Sequence, residues 1–355
     1  MDNAAKRTYI NLLKGWAVFL MLWGHCIQFL SCDDFDCFED PVFKIIYSFH
    51  MPLFMLVSGY LFHFSLQKRT LPQILAHRTQ AMLQPIIAFS IIAFFTTTVP
   101  FSVLQGNRKI IFSGEWINNI GGELLWFLWS VLACSVLVAL CFKAVQSRFL
   151  RICVLLAGVV FVALFPNGEK NVFMYPYFVL GFLFCRYEQK LTVPWKIAQY
   201  LSLPVYPALA FFMKREHFIY TSGLTGEVGL LRHMPVNLYR WALGLAGSLF
   251  MMCCIRLVFT LLNAKPFGAR ILAPADKLGQ KSLQVYALSV IILSEYIPFV
   301  YQQIVNIIGG NFLNFNHILY DVLWTPLIAV GVAVLLVWIA KILELLRISK
   351  VIFGR

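Results

Sequence analysis

Apolar residues in this chain come in long, nearly unbroken runs separated by short polar stretches, which is the pattern of membrane-spanning helices and not the period-two alternation of strands. A window of about 20 residues finds ten such runs, near 9–31, 42–65, 80–100, 123–142, 150–165, 171–186, 195–213, 235–262, 282–303 and 317–343. The fifth and sixth are short and are split by Pro166-Asn-Gly, and an eleventh short or re-entrant helix fits the 216–235 stretch. The pattern predicts an all-α polytopic integral membrane protein of about ten transmembrane helices. It forms one domain over residues 1–355, with no appended soluble domain expected after the basic tail RISKVIFGR.

Composition says which solvent surrounds these runs. Hydrophobic residues make up 60% of the chain and aromatics 16%, against only 13% charged, far outside the mix of a soluble globular domain. The first run is long enough to span and carries no small-residue cleavage site, so it is expected to stay as a helix. Charge then sets orientation. With the N-terminus inside, 21 of the 29 Lys and Arg fall on the inner side, which satisfies the positive-inside rule and puts both termini in the cytoplasm. The expected location is the cell inner membrane. The formal charge of +13 reflects that topology and contact with anionic lipid of the bilayer. No basic groove interleaved with aromatics points to nucleic acid.

Candidate chemistry begins in the first run, RTYINLLKGWAVFLMLWGH from Arg7 to His25. At 100° per residue Arg7, Lys14 and His25 share one face within about 20°, and Lys14 and His25 stand about 16 Å apart along the axis. Ionisable groups at the centre of a membrane helix cost about 2.5–3.5 kcal/mol on insertion scales, so this face is expected to look into protein or a wet cavity. The plainer reading, in which Lys14 snorkels to the headgroups and His25 is a packing residue, stands beside it. The second run holds Pro52, which frees the Ser48 carbonyl in mid-span next to His50, and Ser58-Gly59, where a neighbouring helix can approach. It is expected to line the same cavity as the first. Between them SCDDFDCFEDP carries five carboxylates from Asp33 to Asp40. This is read as a solvated outer loop that lacks calcium-loop spacing, with Cys32 and Cys37 facing an oxidising compartment where pairing is open to them. No Cys or His cluster has metal-ligand spacing, and no metal is expected.

Together, the stretch Arg7–His25 and FHMPLFMLVSGYLF at 49–62 resemble the membrane-bound acyltransferase 3 family. LLWFLWSVL at 124–132, YPYFVLGFLF at 175–184 and SLQVYAL at 282–288, with Tyr286, extend the resemblance over nearly the whole chain. The resemblance implies an integral membrane enzyme that moves an acetyl or other short acyl group onto carbohydrate hydroxyls. Acyl-coenzyme A, usually acetyl-CoA, is the implied donor substrate. It implies His25 as general base, a role suited to an imidazole, and Lys14, Arg7 and Arg78 as contacts to the donor phosphates. Three positions depart from the family pattern. Asn11 stands where many members have aspartate, Ala81 where a second arginine follows Arg78, and Ser289 where a histidine often follows the tyrosine motif.

On the acceptor side, Glu295 and Asp321 fall in the last two runs, near ends where an acid can reach water. Glu123 beside Trp126 offers the carboxylate and aromatic ring that often hold a sugar. The long polar segment 214–237 is placed to cap an acceptor site on the outer face. The expected activity is O-acyl transfer from coenzyme A to a hydroxyl of a cell-surface carbohydrate or its glycolipid precursor. The alternative from another class is a transporter or flippase for a lipid-linked sugar, with His25 as proton relay. A catalytically silent scaffold is the third reading.

Overall fold

The computed structural model describes residues 3–30, 36–98, 124–263, 265–297 and 320–354. All regular structure among the described residues is helical. The helices are α1 (Asn3–Phe29), α2 (Pro41–Lys68), α3 (Leu71–Ala93), α4 (Trp126–Ala144), α5 (Arg148–Ala163) and α6 (Gly168–Arg186). They are followed by α7 (Glu188–Phe211), α8 (Leu230–Asn263), α9 (Gly268–Gln280), α10 (Ser282–Ile291), α11 (Thr325–Leu345) and α12 (Ile348–Phe353). Short π-helical turns follow α3 (Phe94–Thr98), follow α10 (Ile292–Tyr296) and precede α11 (Tyr320–Trp324).

Where they are described, the apolar runs fall mostly on helix, and among the described residues six helices are long and apolar enough to cross a membrane. They are Ala4–Phe29, Pro41–Lys68, Leu71–Thr96, Trp126–Ala144, Leu230–Asn263 and Tyr320–Leu345. The others fall short for local reasons. With 16 residues, α5 rises only about 24 Å against a hydrocarbon core of about 30 Å. Continuous over 24 residues, α7 is long enough but carries Lys190, Lys196, Gln199 and three prolines, Pro194, Pro204 and Pro207, which leave it too polar. In place of an eleventh helix across 216–235 there is a 3₁₀ turn at Arg215–His217 and a single helical turn at Ile219–Ser222.

The chain divides into two compact units, Met1–Val57 with Tyr187–Ala340, and Ser58–Arg186 with Lys341–Arg355. In the first, α1 packs closely on α9, which lies in a stretch the hydropathy pattern leaves as loop. Small residues set that approach. A Cβ on Gly15 would lie 2.0 Å from the carbonyl oxygen of Ala275, and one on Gly279 would lie 1.9 Å from that of Asn11. Only glycine lets the two backbones touch there. A side-chain bond sits beside the contact, where Asn11 Nδ2 donates to Asp276 Oδ1 at 3.0 Å. A carboxylate thus reaches α1 at Asn11 from α9.

In the second unit α4 packs on α3, α5 and α6, and α12 returns to pack on α3. Gly59 meets the Phe178 carbonyl oxygen, which a Cβ would approach to 2.0 Å, so the close approach expected at Ser58-Gly59 is made to α6. The Pro166-Asn-Gly turn is held by the fully buried Asn171. Its Nδ2 donates to the carbonyls of Val162, Phe165 and Pro166, and its Oδ1 accepts from Ser130. Asn167 takes φ 63° there, a left-handed conformation that asparagine tolerates better than most residues.

Candidate functional site

All the groups gathered around His25 belong to the first unit. Gly24 lets α2 approach α1 at this level, because the ring of Tyr47 occupies the place of its missing side chain, 2.5 Å from where a Cβ would stand. Tyr47 is held from the other side by a stacked ring, Phe43, at 3.9 Å between centroids. Phe43 is itself fixed at the start of α2, where its backbone N–H donates to Asp40 Oδ1 at 2.6 Å. This is the N-cap of a helix whose first residue is Pro41. Phe38 and Phe218 close the aromatic cluster around Phe43.

The packing brings three polar groups together. His25 Nδ1 lies 3.2 Å from Gln28 Oε1 and 3.1 Å from the Tyr47 hydroxyl, and that hydroxyl donates to Gln28 Oε1 at 3.2 Å. The imidazole stacks on Phe29, one turn further along α1. No hydrogen bond to Nε2 is found among the described residues, and the ring is only half-buried. A neutral imidazole with one nitrogen tied down and the other open is equipped to take a proton from a hydroxyl. His50, the second histidine of the motif pair, is placed differently. It is buried, and its Nδ1 bonds the Ile46 carbonyl at 2.9 Å. Near the Pro52 break, the Ser48 and Tyr206 hydroxyls bond each other and both bond the Ile45 carbonyl.

A cleft of about 590 Å³ in the same unit is lined by Glu39, Lys44, Met213, Lys214, Arg215, Glu216, Thr221 and Ser222. Tyr220, next to Thr221, meets the Tyr47 ring edge-on at 6.0 Å. Tyr47 in turn bonds His25 Nδ1 through its hydroxyl. Ion pairs Lys44–Glu39 and Arg215–Asp36 frame the cleft. The second joins segments 31–41 and 214–237, which the charge pattern assigns to one side of the bilayer. Three of the five acids of the first loop thus have structural roles, Asp36 and Glu39 in ion pairs and Asp40 in a cap, while Asp33 and Asp34 lie outside the described residues.

The segment Glu216–Gly223 is held in place by Arg240 of α8. This side chain is 2% exposed and donates to the carbonyls of Glu216, His217, Phe218 and Gly223, to Asn237 Oδ1 and to the Ser222 hydroxyl. His217 accepts from the Lys214 N–H at Nδ1 and packs on Tyr239. Burial holds its pKa below the usual imidazole range, with the neighbouring Glu216 opposing.

The other sequence-derived residues are spread more widely. Along α1, Lys14 is half-buried and Arg7 exposed. Arg78 belongs to the second unit, its guanidinium over the Phe62 ring at 4.7 Å. Trp126 is also in that unit, with Lys170 Nζ 5.5 Å from its ring. Glu123 and the side chain of Glu295 lie outside the described residues, as does Cys32. Asp321 does not reach water: it is 1% exposed and lies beside the buried carboxyl of Asp40, while its backbone carbonyl accepts from Trp23 Nε1. Tyr286 and Ser289 are buried, and Ser289 Oγ bonds the Tyr286 carbonyl, so this motif is packing around α10. Cys37 is a buried free thiol whose pKa burial pushes up to about 11. Among the described residues no group of three or more His, Cys, Asp or Glu is arranged to hold a metal.

Sequence reasoning missed Gln28, Tyr47, Arg240 and Asp276. Gln28 follows His25 by three positions, a spacing that places both on one helix face, and Arg240 is a cation inside an apolar run, which is itself a signal.

Comparison with known proteins adds the following. A family model described as an acyltransferase domain matches residues 7–342. The nodulation protein NolL of Sinorhizobium fredii is 32% identical over 183 residues, 50% of this chain and 48% of that protein. NolL of Mesorhizobium japonicum is 27% identical over 186 residues, 50% of this chain and 47% of that protein. The matched region thus spans about half the length of these curated relatives. No solved structure matches.

Proposed function

Because the chain belongs to the acyltransferase 3 family across residues 7–342, we propose that it is a membrane O-acyltransferase. It moves an acetyl or similar short acyl group from acyl-coenzyme A to a hydroxyl of a cell-surface carbohydrate or its lipid-linked precursor. It is a multi-pass protein of the inner membrane with both termini in the cytoplasm. The observation that carries the chemistry is the half-buried imidazole of His25, anchored through Nδ1 and open at Nε2.

In this reading Nε2 takes the proton of the acceptor hydroxyl as its oxygen attacks the thioester carbonyl carbon. The carbon–sulfur bond then breaks, the thiolate leaves, and the imidazolium returns the proton to sulfur. The products are the ester and free coenzyme A. Lys14 and Arg7, on the His25 face of α1 but toward its N-terminus, face the side from which a cytoplasmic donor arrives, and the family resemblance also assigns Arg78 to the donor phosphates. The acceptor comes from the other side, by way of the polar cleft whose neighbour Tyr220 meets the Tyr47 ring. The volume of the cleft is within the range of small-ligand sites, and the mixed donors and acceptors lining it suit a polyhydroxylated ligand.

The test is the O-acetyl content of surface glycans in a deletion strain complemented with wild type or His25→Ala at equal membrane abundance. Loss of one ester that wild type restores and His25→Ala does not is the expected result. Restoration by both proteins removes His25 from the chemistry. Unchanged esters with accumulation of a lipid-linked sugar place the protein among transporters instead.

A further inference from the structure

Hydrogen-bond arithmetic at His25 points past the histidine itself. Three heavy atoms, His25 Nδ1, Gln28 Oε1 and the Tyr47 hydroxyl oxygen, sit in a triangle with sides of 3.1–3.2 Å. The amide oxygen can only accept, and it has two lone pairs. With the proton on Nδ1, both the imidazole and the phenol donate to that oxygen and every group is satisfied. With the proton on Nε2, the Nδ1 lone pair faces the Gln28 oxygen at 3.2 Å, and the phenol can satisfy only one of two competing acceptors. The arrangement therefore favours one tautomer. Tyr47 is in turn immobilised by the Phe43 stack and by the absence of a side chain at Gly24.

We infer that Gln28 is the positioning residue of this site. Resting on the acyltransferase reading above, its amide oxygen holds the His25 proton on Nδ1, so that Nε2 presents its lone pair to the acceptor hydroxyl. After proton abstraction the same oxygen accepts from the imidazolium. Gln28 touches neither substrate; it acts through the ring. The choice of a neutral amide in this role leaves the imidazole without a fixed counter-charge. The described titratable groups that face the triangle are Tyr47 and His50 of α2, Cys26 of α1, and, against Tyr47, Tyr220 and Cys37. None of these is a carboxylate or an amine.

The experiment uses membranes from the deletion strain carrying the full-length wild type, His25→Ala, Gln28→Met or Gln28→Glu, matched in abundance and in elution profile after detergent extraction. The probe is radiolabelled acetyl-coenzyme A, and transfer rate is followed against pH and donor concentration. Gln28→Met keeps the length of the side chain but removes the acceptor, and its kcat is expected to fall by roughly tenfold or more, within the range a general base contributes. Its KM for acetyl-coenzyme A stays unchanged. Gln28→Glu keeps an acceptor and adds a charge beside the ring, so transfer persists while the acid limb of the pH–rate profile moves roughly one unit or more to higher pH. A Gln28→Met protein with wild-type kcat, or a Gln28→Glu protein with an unmoved acid limb, overturns the role of Gln28 while leaving the acyltransferase reading intact. Failure of wild type to transfer label, or full transfer by His25→Ala, removes that reading and this inference with it.

Discussion

Removal of the guanidinium at position 240 should release the segment that walls the cleft. Arg240 reaches the Glu216 and Gly223 carbonyls at 2.6 Å each, Asn237 Oδ1 at 2.8 Å, and the His217 and Phe218 carbonyls at 3.1 and 3.2 Å, besides the Ser222 hydroxyl. Hydrogen bonds from charged donors contribute about 1.5–3 kcal/mol each, and a buried acceptor left unpaired costs about 1–3 kcal/mol. Summing six of them overstates the effect, because in Arg240→Met the segment can open and let water satisfy its carbonyls. Opening is the escape route, and taking only two of the bonds as net loss gives about 3 kcal/mol, roughly a hundredfold in the opening equilibrium. Arg240→Lys should behave almost as badly, since three donors on a point charge cannot span the fork that five planar donors cover. Amide hydrogen exchange read by mass spectrometry on purified protein is the assay. Peptides covering Glu216–Gly223 should exchange roughly a hundred times faster, while those of α1 and α9 remain as in wild type. Unchanged exchange in this segment would refute the reasoning, and equal acceleration everywhere would mean that Arg240 holds the whole fold and not this segment.

Three further outcomes follow from single contacts. Asn11→Asp sets a carboxylate against Asp276, 3.0 Å away in the present pairing, and should lower thermal stability in detergent by about 1–3 kcal/mol. Asp276→Asn added to it should restore most of the loss, and a double variant no better than the single one refutes the pairing. Gly24→Ala drives the Tyr47 ring from its place and should lower transfer roughly tenfold with acetyl-coenzyme A binding unchanged; a wild-type rate would show that Tyr47 need not sit there. Cys37, with its thiol pushed up to about 11, carries roughly one thiolate in a thousand at pH 8. It should resist iodoacetamide in native protein and react on unfolding, and rapid native labelling would contradict its burial.

Much of the helical layout was readable because apolar length is a strong signal. The chemistry was only partly so. Arg7, Lys14 and His25 could be aligned by helix periodicity alone, yet what holds His25 comes half from α2, and pairing between helices leaves no trace in spacing. The helix α9 was overlooked because GARILAPADKLGQ balances charge against apolar residues and contains Pro274, so a hydropathy window passes over it. Its signal lies in small and apolar residues at Gly268, Leu272, Ala275 and Gly279, spaced four, three and four apart. Asp321 illustrates the opposite error. A position near a helix end suggested water, but Tyr320 and Asp321 point inward, and the Tyr320 hydroxyl reaches the Leu30 carbonyl.

The contact between α1 and α9 also has a mechanical meaning. Most helix pairs meet through side chains, which bend and swap rotamers and so let one helix slip against the other. At Gly15 and Gly279 peptide group meets peptide group, and there is no compliant layer left to absorb a slip. The N-terminal half of α1 and the whole of α9 must travel as one stiff strut. The height of Lys14 relative to Arg270 and Lys277 is therefore set by the main chain itself, as marks on a ruler are set, and does not drift with the thermal motion of the side chains around it.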